Sequence, residues 1–136
     1  MRYVLIVTAV TVVLLGKISF AHGQKAAERF IPIGQSPGIS GKQSHIGNIE
    51  GTDAAKRTVT IAVAPDKNYT VTVTDRTRIW LDRSKSKLPT LNGGYGDLKA
   101  GLRVEIKYES PSRRQHAEWI KVELVAPVPE SGSIRN

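Results

Sequence analysis

Alternating apolar and polar positions run through the middle of the chain and predict short β-strands. The alternation is clearest from Leu102 to Tyr108, where every second residue is apolar and the residues between them are charged. A period of two places successive side chains on opposite faces of a strand. The same pattern in segments 58–63 and 69–74 predicts a hairpin with one apolar face and one threonine-rich face.

Three further segments extend the series of strands. They are residues 46–53, 78–82 and 117–125, and the first is interrupted by two glycines. In the last segment Ala117 is out of phase with Ile120, which predicts a β-bulge near Glu118. A polar loop is expected over residues 83–96.

Six short strands without a convincing helix favour a sheet that closes on itself. An open sheet would leave its apolar face in water and its edges unpaired. We therefore predict an all-β fold, a small closed or partly open barrel of five or six antiparallel strands, similar to the oligonucleotide/oligosaccharide-binding (OB) fold, with an irregular N-terminal arm. A two-sheet sandwich is the alternative. The residues expected to face the interior are Val71, Val104, Ile106 and Val122, whereas Glu105 is expected on a solvated face.

The start of the chain has the parts of a cleavable export signal in the right order. Arg2 precedes an apolar run over residues 4–15, and a small-residue site follows at 21–23. The apolar run is about 12 residues long, whereas a membrane span needs about 20, so an uncleaved anchor is the weaker alternative. The predicted division is a signal peptide at 1–23, an irregular arm or linker at 24–44, a barrel domain at 45–126 and a disordered tail at 127–136, in a protein that is periplasmic or secreted.

Composition narrows the possible chemistry. The chain has no cysteine, which excludes thiol catalysis, thiolate metal sites and a lipoprotein anchor. Its net charge is +8, and removal of the signal with Arg2 and Lys17 lowers this to +6. His45 and His116 are isolated in the sequence, and the glycine and hydroxyl positions that a phosphate-binding loop needs around Gly41 and Lys42 are not met. We expect no enzyme activity, no metal and no cofactor.

Several turn-and-strand motifs carry a resemblance to a known family. They are Gly47-Asn48-Ile49, Asp75-Arg76-Thr77-Arg78-Ile79, Asp97-Leu98-Lys99-Ala100-Gly101 and Ala117-Glu118-Trp119-Ile120-Lys121-Val122. Over about residues 46–125 the chain resembles a family of exported bacterial small-barrel domains of unknown function, and departs from it in the long loop 83–96. The resemblance implies a fold and no catalytic or binding residues. Physically, Asp75 is expected to bond backbone N–H groups near Thr77, and Gly101 to take a positive φ.

One basic and aromatic cluster suggests a binding function. Its predicted members, as a site for an anionic polymer or membrane surface, are Arg76, Arg78, Trp80, Arg83, Lys85 and Lys87. By strand parity Trp119 also lies on the non-core face, and barrels of this type bind polymers with aromatic platforms and cations. The expected partners are an anionic envelope polymer, lipid headgroups or another envelope protein, and nucleic acid is not favoured.

A structural module without a dedicated ligand is the alternative to this binding function. In that case Trp80 and Trp119 pack under the arm or the long loop. The cations then pair with acids on neighbouring strands, for which Glu105, Glu109 and Glu118 are the candidates.

Export processing gives the first testable prediction. The intact mass of the protein recovered from the exported fraction should correspond to a chain that starts at Gln24, or at His22 if cleavage follows Ala21. Recovery of the full-length chain in the membrane fraction would make residues 4–15 an anchor instead.

Overall fold

The computed structural model describes residues 27–126, and these form one all-β domain with an irregular N-terminal arm. The predicted signal peptide, the first residues of the predicted arm and the predicted tail lie outside the described residues. Seven strands are present: β1 (Ser44–Asp53), β2 (Thr58–Ala64), β3 (Lys67–Thr72), β4 (Arg78–Asp82), β5 (Leu91–Asn92), β6 (Arg103–Ser110) and β7 (Arg113–Glu123).

Five of these strands close into a barrel. β1 pairs with β2 and β6, β2 pairs with β3, and β6 pairs with β7, all antiparallel. A parallel pairing of β3 with β7 at Thr72 and His116 completes the ring. The predicted small OB-like barrel is thereby confirmed.

Two strands extend the sheet beyond the ring. β4 pairs in parallel with the second half of β7, from Arg78 opposite Trp119 to Asp82 opposite Glu123, and β5 pairs with β4. The segment predicted as a polar loop therefore contains β5 and two short 3-10 turns, Ser84–Ser86 and Tyr95–Asp97. Strand β5 was missed because only two of its residues are paired, too few for a period-two pattern.

The barrel interior follows the predicted strand parity. Val71, Val104, Ile106 and Val122 are all buried in the apolar core with no exposed surface. The predicted bulge is also present, because Trp119 pairs with Lys107 and Ala117 with Tyr108, so β7 has one extra residue, Glu118, at this point.

The turn before β4 is held by different residues from those predicted. Asp75 was expected to fix the bend, but Thr77 Oγ accepts the Thr74 N–H at 2.9 Å and donates to the Ala117 carbonyl at 2.7 Å. A threonine hydroxyl can donate and accept at once, so Thr77 also ties the turn to β7. Gly101 has a φ of 89°, as its place before β6 predicted.

The described part of the arm lies over the outer face of the sheet formed by β4, β6 and β7. Glu105 and Lys121 are cross-strand neighbours on this face and are almost completely buried, at 0% and 1% exposure. The expectation that Glu105 lies on a solvated face is therefore wrong. Period-two alternation identifies the face opposite the core, but it cannot reveal that another segment covers that face.

Glu105 is the main attachment point of the arm. Its carboxylate accepts hydrogen bonds from the Gly34 N–H at 2.7 Å, the Ser40 hydroxyl at 2.6 Å and the Ser44 hydroxyl at 2.7 Å. Hydrogen bonds to a charged acceptor are stronger than neutral ones, and they replace the water that burial removes. The carboxylate therefore holds the arm at two places and bonds the start of β1 as well.

Two further polar groups of the sheet hold the arm. Asp82 accepts the Ile33 N–H at 3.0 Å, and the Lys121 ammonium donates to the Ser36 hydroxyl at 2.8 Å. Burial acts to raise the pKa of Asp82, but hydrogen bonds from Ser84 and Ile33 outweigh it and the pKa lies below its usual value. Burial lowers the pKa of Lys121, and the nearby carboxylates, led by Glu105, oppose this only in part.

The core assignment can be tested by truncating one interior side chain. Ile106→Ala should lower the free energy of unfolding by about 2–5 kcal/mol because it leaves a cavity in a fully buried position. The matched control is Thr52→Ala on the exposed edge of β1, which should change it by less than about 0.5 kcal/mol. Urea unfolding measures both, and equal losses would contradict the strand parity.

The attachment of the arm can be tested at Glu105. Glu105→Ala should lower the free energy of unfolding by about 3–5 kcal/mol, because it leaves the Lys121 ammonium and three donors without their buried carboxylate. Glu105→Gln should lose less, since its amide oxygen still accepts hydrogen bonds. The control is Glu109→Ala, which breaks only a surface ion pair with Arg76 and should cost less than about 1 kcal/mol. A loss at Glu105 no greater than at Glu109 would contradict this role.

Candidate functional site

The six residues predicted to bind an anionic partner do not form one surface. Arg76 lies just before β4 and Arg78 begins it, whereas the other cations follow its end, at Arg83, Lys85 and Lys87. Because a strand rises about 3.3 Å per residue, Arg78 and Arg83 are separated by roughly 16 Å along the chain. The two groups therefore lie at opposite ends of β4.

The two tryptophans lie mostly beneath other parts of the chain. Trp80 is 5% exposed and Trp119 is 2% exposed, with their ring centroids 5.7 Å apart. The Trp119 indole N–H donates to the Glu28 carboxylate of the arm at 2.6 Å, and the Lys121 ammonium lies 4.4 Å from the Trp119 ring centroid. So little exposed ring surface leaves Trp80 poorly placed for stacking on a partner.

Arg76 and Arg78 border an open cleft of about 930 Å³. Arg76 pairs with Glu109 at 3.5 Å, and on the same lining Lys107 pairs with Glu118 at 2.9 Å. The lining contains three cations and three acids: Asp75, Arg76, Thr77, Arg78, Trp80, Lys107, Glu109, Glu118 and Trp119. With balanced charge, the cleft does not favour an anionic partner.

The cations at the other end of β4 lie on a short, well-defined turn. The Arg83 side chain donates to the Pro89 carbonyl at 2.8 Å, and the Lys87 N–H bonds the Ser84 carbonyl at 2.9 Å. Lys85 shares the Glu123 carboxylate with Arg103, at 2.9 and 3.1 Å. Two cations therefore share one carboxylate, and residues 83–91 contain three cations and no acid, so the local charge is positive.

Exposed apolar side chains border the same turn. The large hydrophobic residues that are exposed in the part of the chain described by the structure are Phe30 (66%), Leu88 (43%), Leu91 (44%) and Val125 (61%). Leu88 and Leu91 belong to the loop itself, and the neighbour of Val125 is tied to it because the Ala126 N–H donates to Ser86 at 2.9 Å.

Phe30 reaches the loop through Arg29. The Arg29 guanidinium lies 5.3 Å from the Phe30 ring centroid and donates to the Thr90 carbonyl at 3.4 Å. We call the combined surface the loop patch, and its members are Arg29, Phe30, Arg83, Lys85, Lys87, Leu88, Leu91, Arg103 and Val125.

Sequence reasoning found three members of the loop patch and missed the rest. Leu88 and Leu91 could have been recognised, because they are apolar residues in a loop that is otherwise polar. Phe30, Arg103 and Val125 come from distant parts of the chain. Only the folded arrangement brings them to the loop.

Residues 27–126 show neither of two other features, a metal site or a membrane-spanning helix. In this range no group of three or more His, Asp or Glu side chains is arranged to hold a metal ion. The same range contains no helix long and apolar enough to cross a membrane.

Comparison with known proteins adds a likeness to solved structures. No protein-family model and no curated protein matches the chain. The chain is similar to a silver(I) form of CusF, with 20% identity, a TM-score of 0.37 and coverage of 58% of this chain and 93% of that one. It is also similar to a copper(II) form of a tryptophan-to-alanine variant of CusF from Escherichia coli, with 21% identity, a TM-score of 0.38 and coverage of 58% and 88%. Likeness at this level assigns no ligand, and the resemblance to an exported small-barrel family stays a prediction.

Proposed function

We propose that this domain is a non-catalytic binding module of the cell envelope that attaches to an anionic membrane surface through the loop patch. The observation that supports the proposal is the joint location of cations and exposed apolar side chains. Lys85, Lys87 and Arg83 follow β4 directly, and the four exposed large hydrophobic residues of residues 27–126 border the same loop.

The apolar side chains distinguish a membrane from a dissolved polyanion. Leu88 and Leu91 are more than two-fifths exposed, and Phe30 and Val125 more than three-fifths. Side chains of this kind gain free energy at about 25 cal/mol for each Å² of apolar surface that leaves water. A membrane interface accepts them below the headgroups, whereas a charged polymer offers little apolar surface in return.

The cations provide the attraction and the orientation. A lysine or arginine close to an anionic leaflet contributes about 1 kcal/mol. Lys85 and Arg103 share one carboxylate, so the patch has a modest excess of positive charge. We therefore expect reversible attachment that weakens as salt screens the charges.

Vesicle binding tests the proposal. The exported chain should sediment with vesicles that contain phosphatidylglycerol and phosphatidylcholine at low salt, and much less at moderate salt or with phosphatidylcholine alone. Reversal of two charges, Arg83→Glu with Lys85→Glu, should abolish sedimentation, and Leu88→Ser with Leu91→Ser should weaken it several-fold. The thermal midpoint of each variant, measured in parallel, should change little because Arg83 is only partly buried and the other three side chains are exposed.

A matched control reverses two charges at the other end of β4. Arg76→Glu with Arg78→Glu changes the net charge by the same amount, so it should leave most of the binding intact. Equal losses from both reversals would show that only net charge matters and would overturn the role of the loop patch. Retention on heparin by the leucine variants, without vesicle binding by the parent, would favour a polymer partner. Absence of both would leave the purely structural alternative.

A further inference from the structure

A second cluster of chemically active side chains surrounds His45, near the end of β7 remote from the loop patch. The His45 ring lies against the Tyr69 ring with centroids 4.1 Å apart. Its Nδ1 lies 2.8 Å from the Tyr108 hydroxyl, and its Nε2 lies 3.0 Å from the Arg114 guanidinium. The Lys67 ammonium lies 5.9 Å from the centroid of the Tyr69 ring, on the same strand. Residues from β1, β3, β6 and β7 therefore meet around one imidazole.

The contacts determine the proton position on His45. A guanidinium only donates hydrogen bonds, so Nε2 must accept from Arg114 and cannot carry a proton. In the neutral imidazole the proton is then on Nδ1, which donates to the Tyr108 oxygen. Burial raises the pKa of Tyr108 to about 12, so its hydroxyl stays neutral and does not compensate a charge on His45.

Protonation of His45 would break the contact with Arg114. The pKa of His45 lies below its ordinary value of 6.5, first because of burial and then because Arg114 and Lys67 are positive. A proton added at Nε2 would point at the guanidinium, and two cations would face each other with Lys67 nearby. The charged groups that act on His45 are Lys67 of β3 and Arg114 of β7. The titratable side chains packed against it are Tyr69 of β3 and Tyr108 of β6.

An anion between Arg114 and Nε2 would reverse this repulsion. The protonated imidazole and the guanidinium are both donors, and a tetrahedral oxyanion has enough oxygens to accept from both. We propose that His45 and Arg114 form a proton-coupled binding site for a tetrahedral oxyanion of the sulfate or phosphate class. Uptake of one proton by His45 opens the contact with Arg114, and the anion bridges the two side chains.

This site is separate from the loop patch. Arg114 is the second residue of β7, and Glu123, which binds Lys85, is the last. Nine residues of extended strand span roughly 30 Å. Failure of the membrane proposal would therefore leave this proposal intact, and the reverse also holds.

NMR titration of the histidine ring signals tests the proposal, with sodium sulfate as the probe and sodium chloride at equal ionic strength as the control. Sulfate should raise the His45 pKa relative to chloride. Its affinity should increase as the pH falls through that pKa, by at most about tenfold per pH unit, the limit for one coupled proton. The signal of His116, which lies on the same strand as Arg114, is the internal reference.

Stability against pH gives an independent readout. Because the folded-state pKa of His45 is below 6.5, its contribution to stability is complete above pH 6.5 and is lost as the pH falls from 6.5 to the folded-state pKa. Sulfate should reduce this loss more than chloride does, as measured by the urea midpoint.

Two neighbouring arginines provide the matched variants. Arg114→Gln should abolish the sulfate effect on His45, and Arg113→Gln should preserve it, since both residues are exposed but only Arg114 contacts the ring. Equal His45 pKa values in sulfate and chloride, or equal losses in the two variants, would overturn the proposal. Phosphatidylglycerol vesicles provide a second experiment. If His45 responds to dissolved sulfate and not to the vesicles, the site binds a free oxyanion. If it responds to both, the same site also binds lipid phosphate.

Discussion

A buried carboxylate on the outside of the barrel organises the structure around it. Glu105 is fully buried although it points away from the apolar core, and it accepts three hydrogen bonds from the arm and the start of β1. A charge in this position is tolerated only with strong partners. The Lys121 ammonium beside it on β7 supplies an opposite charge, so the arm and the sheet form a single polar layer.

This polar layer determines which surfaces remain for function. The arm covers the central outer face of β6 and β7, and it leaves Trp119 2% exposed with its indole N–H bonded to Glu28. An aromatic and charged strand face, which the sequence presents as a binding platform, is therefore used to hold the chain's own arm. The loop after β4 and the end of the barrel near His45 remain open to solvent, and both proposed sites lie there.

The barrel could be predicted from the sequence because its interior obeys a local rule. Val104, Ile106 and Val122 alternate with polar residues along their strands, and each is in the core. The outer layer could not be predicted in the same way. Alternation marks Glu105 and Lys121 as residues that face away from the core. The pattern is the same whether that face is covered by water or by an arm 60 or more positions away in the sequence.

The candidate sites depend even more on distant contacts. The basic residues of the loop patch were recognisable because Arg83, Lys85 and Lys87 are close in sequence, but Phe30 arrives through the contact of Arg29 with Thr90. His45 is isolated in the sequence, so no partner could be predicted for it. Its partners Arg114 and Tyr108 are brought to it by the pairing of β1 with β6 and of β6 with β7.

Closure of the barrel is what gives these two surfaces their independence. β7 borders β6 along one edge, and along the other it meets β3 near its start and β4 near its end. A strand held on both sides is stiff, so its start can present Arg114 to His45 while its end holds Glu123 between Lys85 and Arg103. A change of protonation at His45 alters hydrogen bonds at the start of β7. The paired backbone between the two ends of the strand does not transmit this change to Glu123. Coupling between the two sites would require a second arrangement of β7, and its pairing along most of β6 disfavours one.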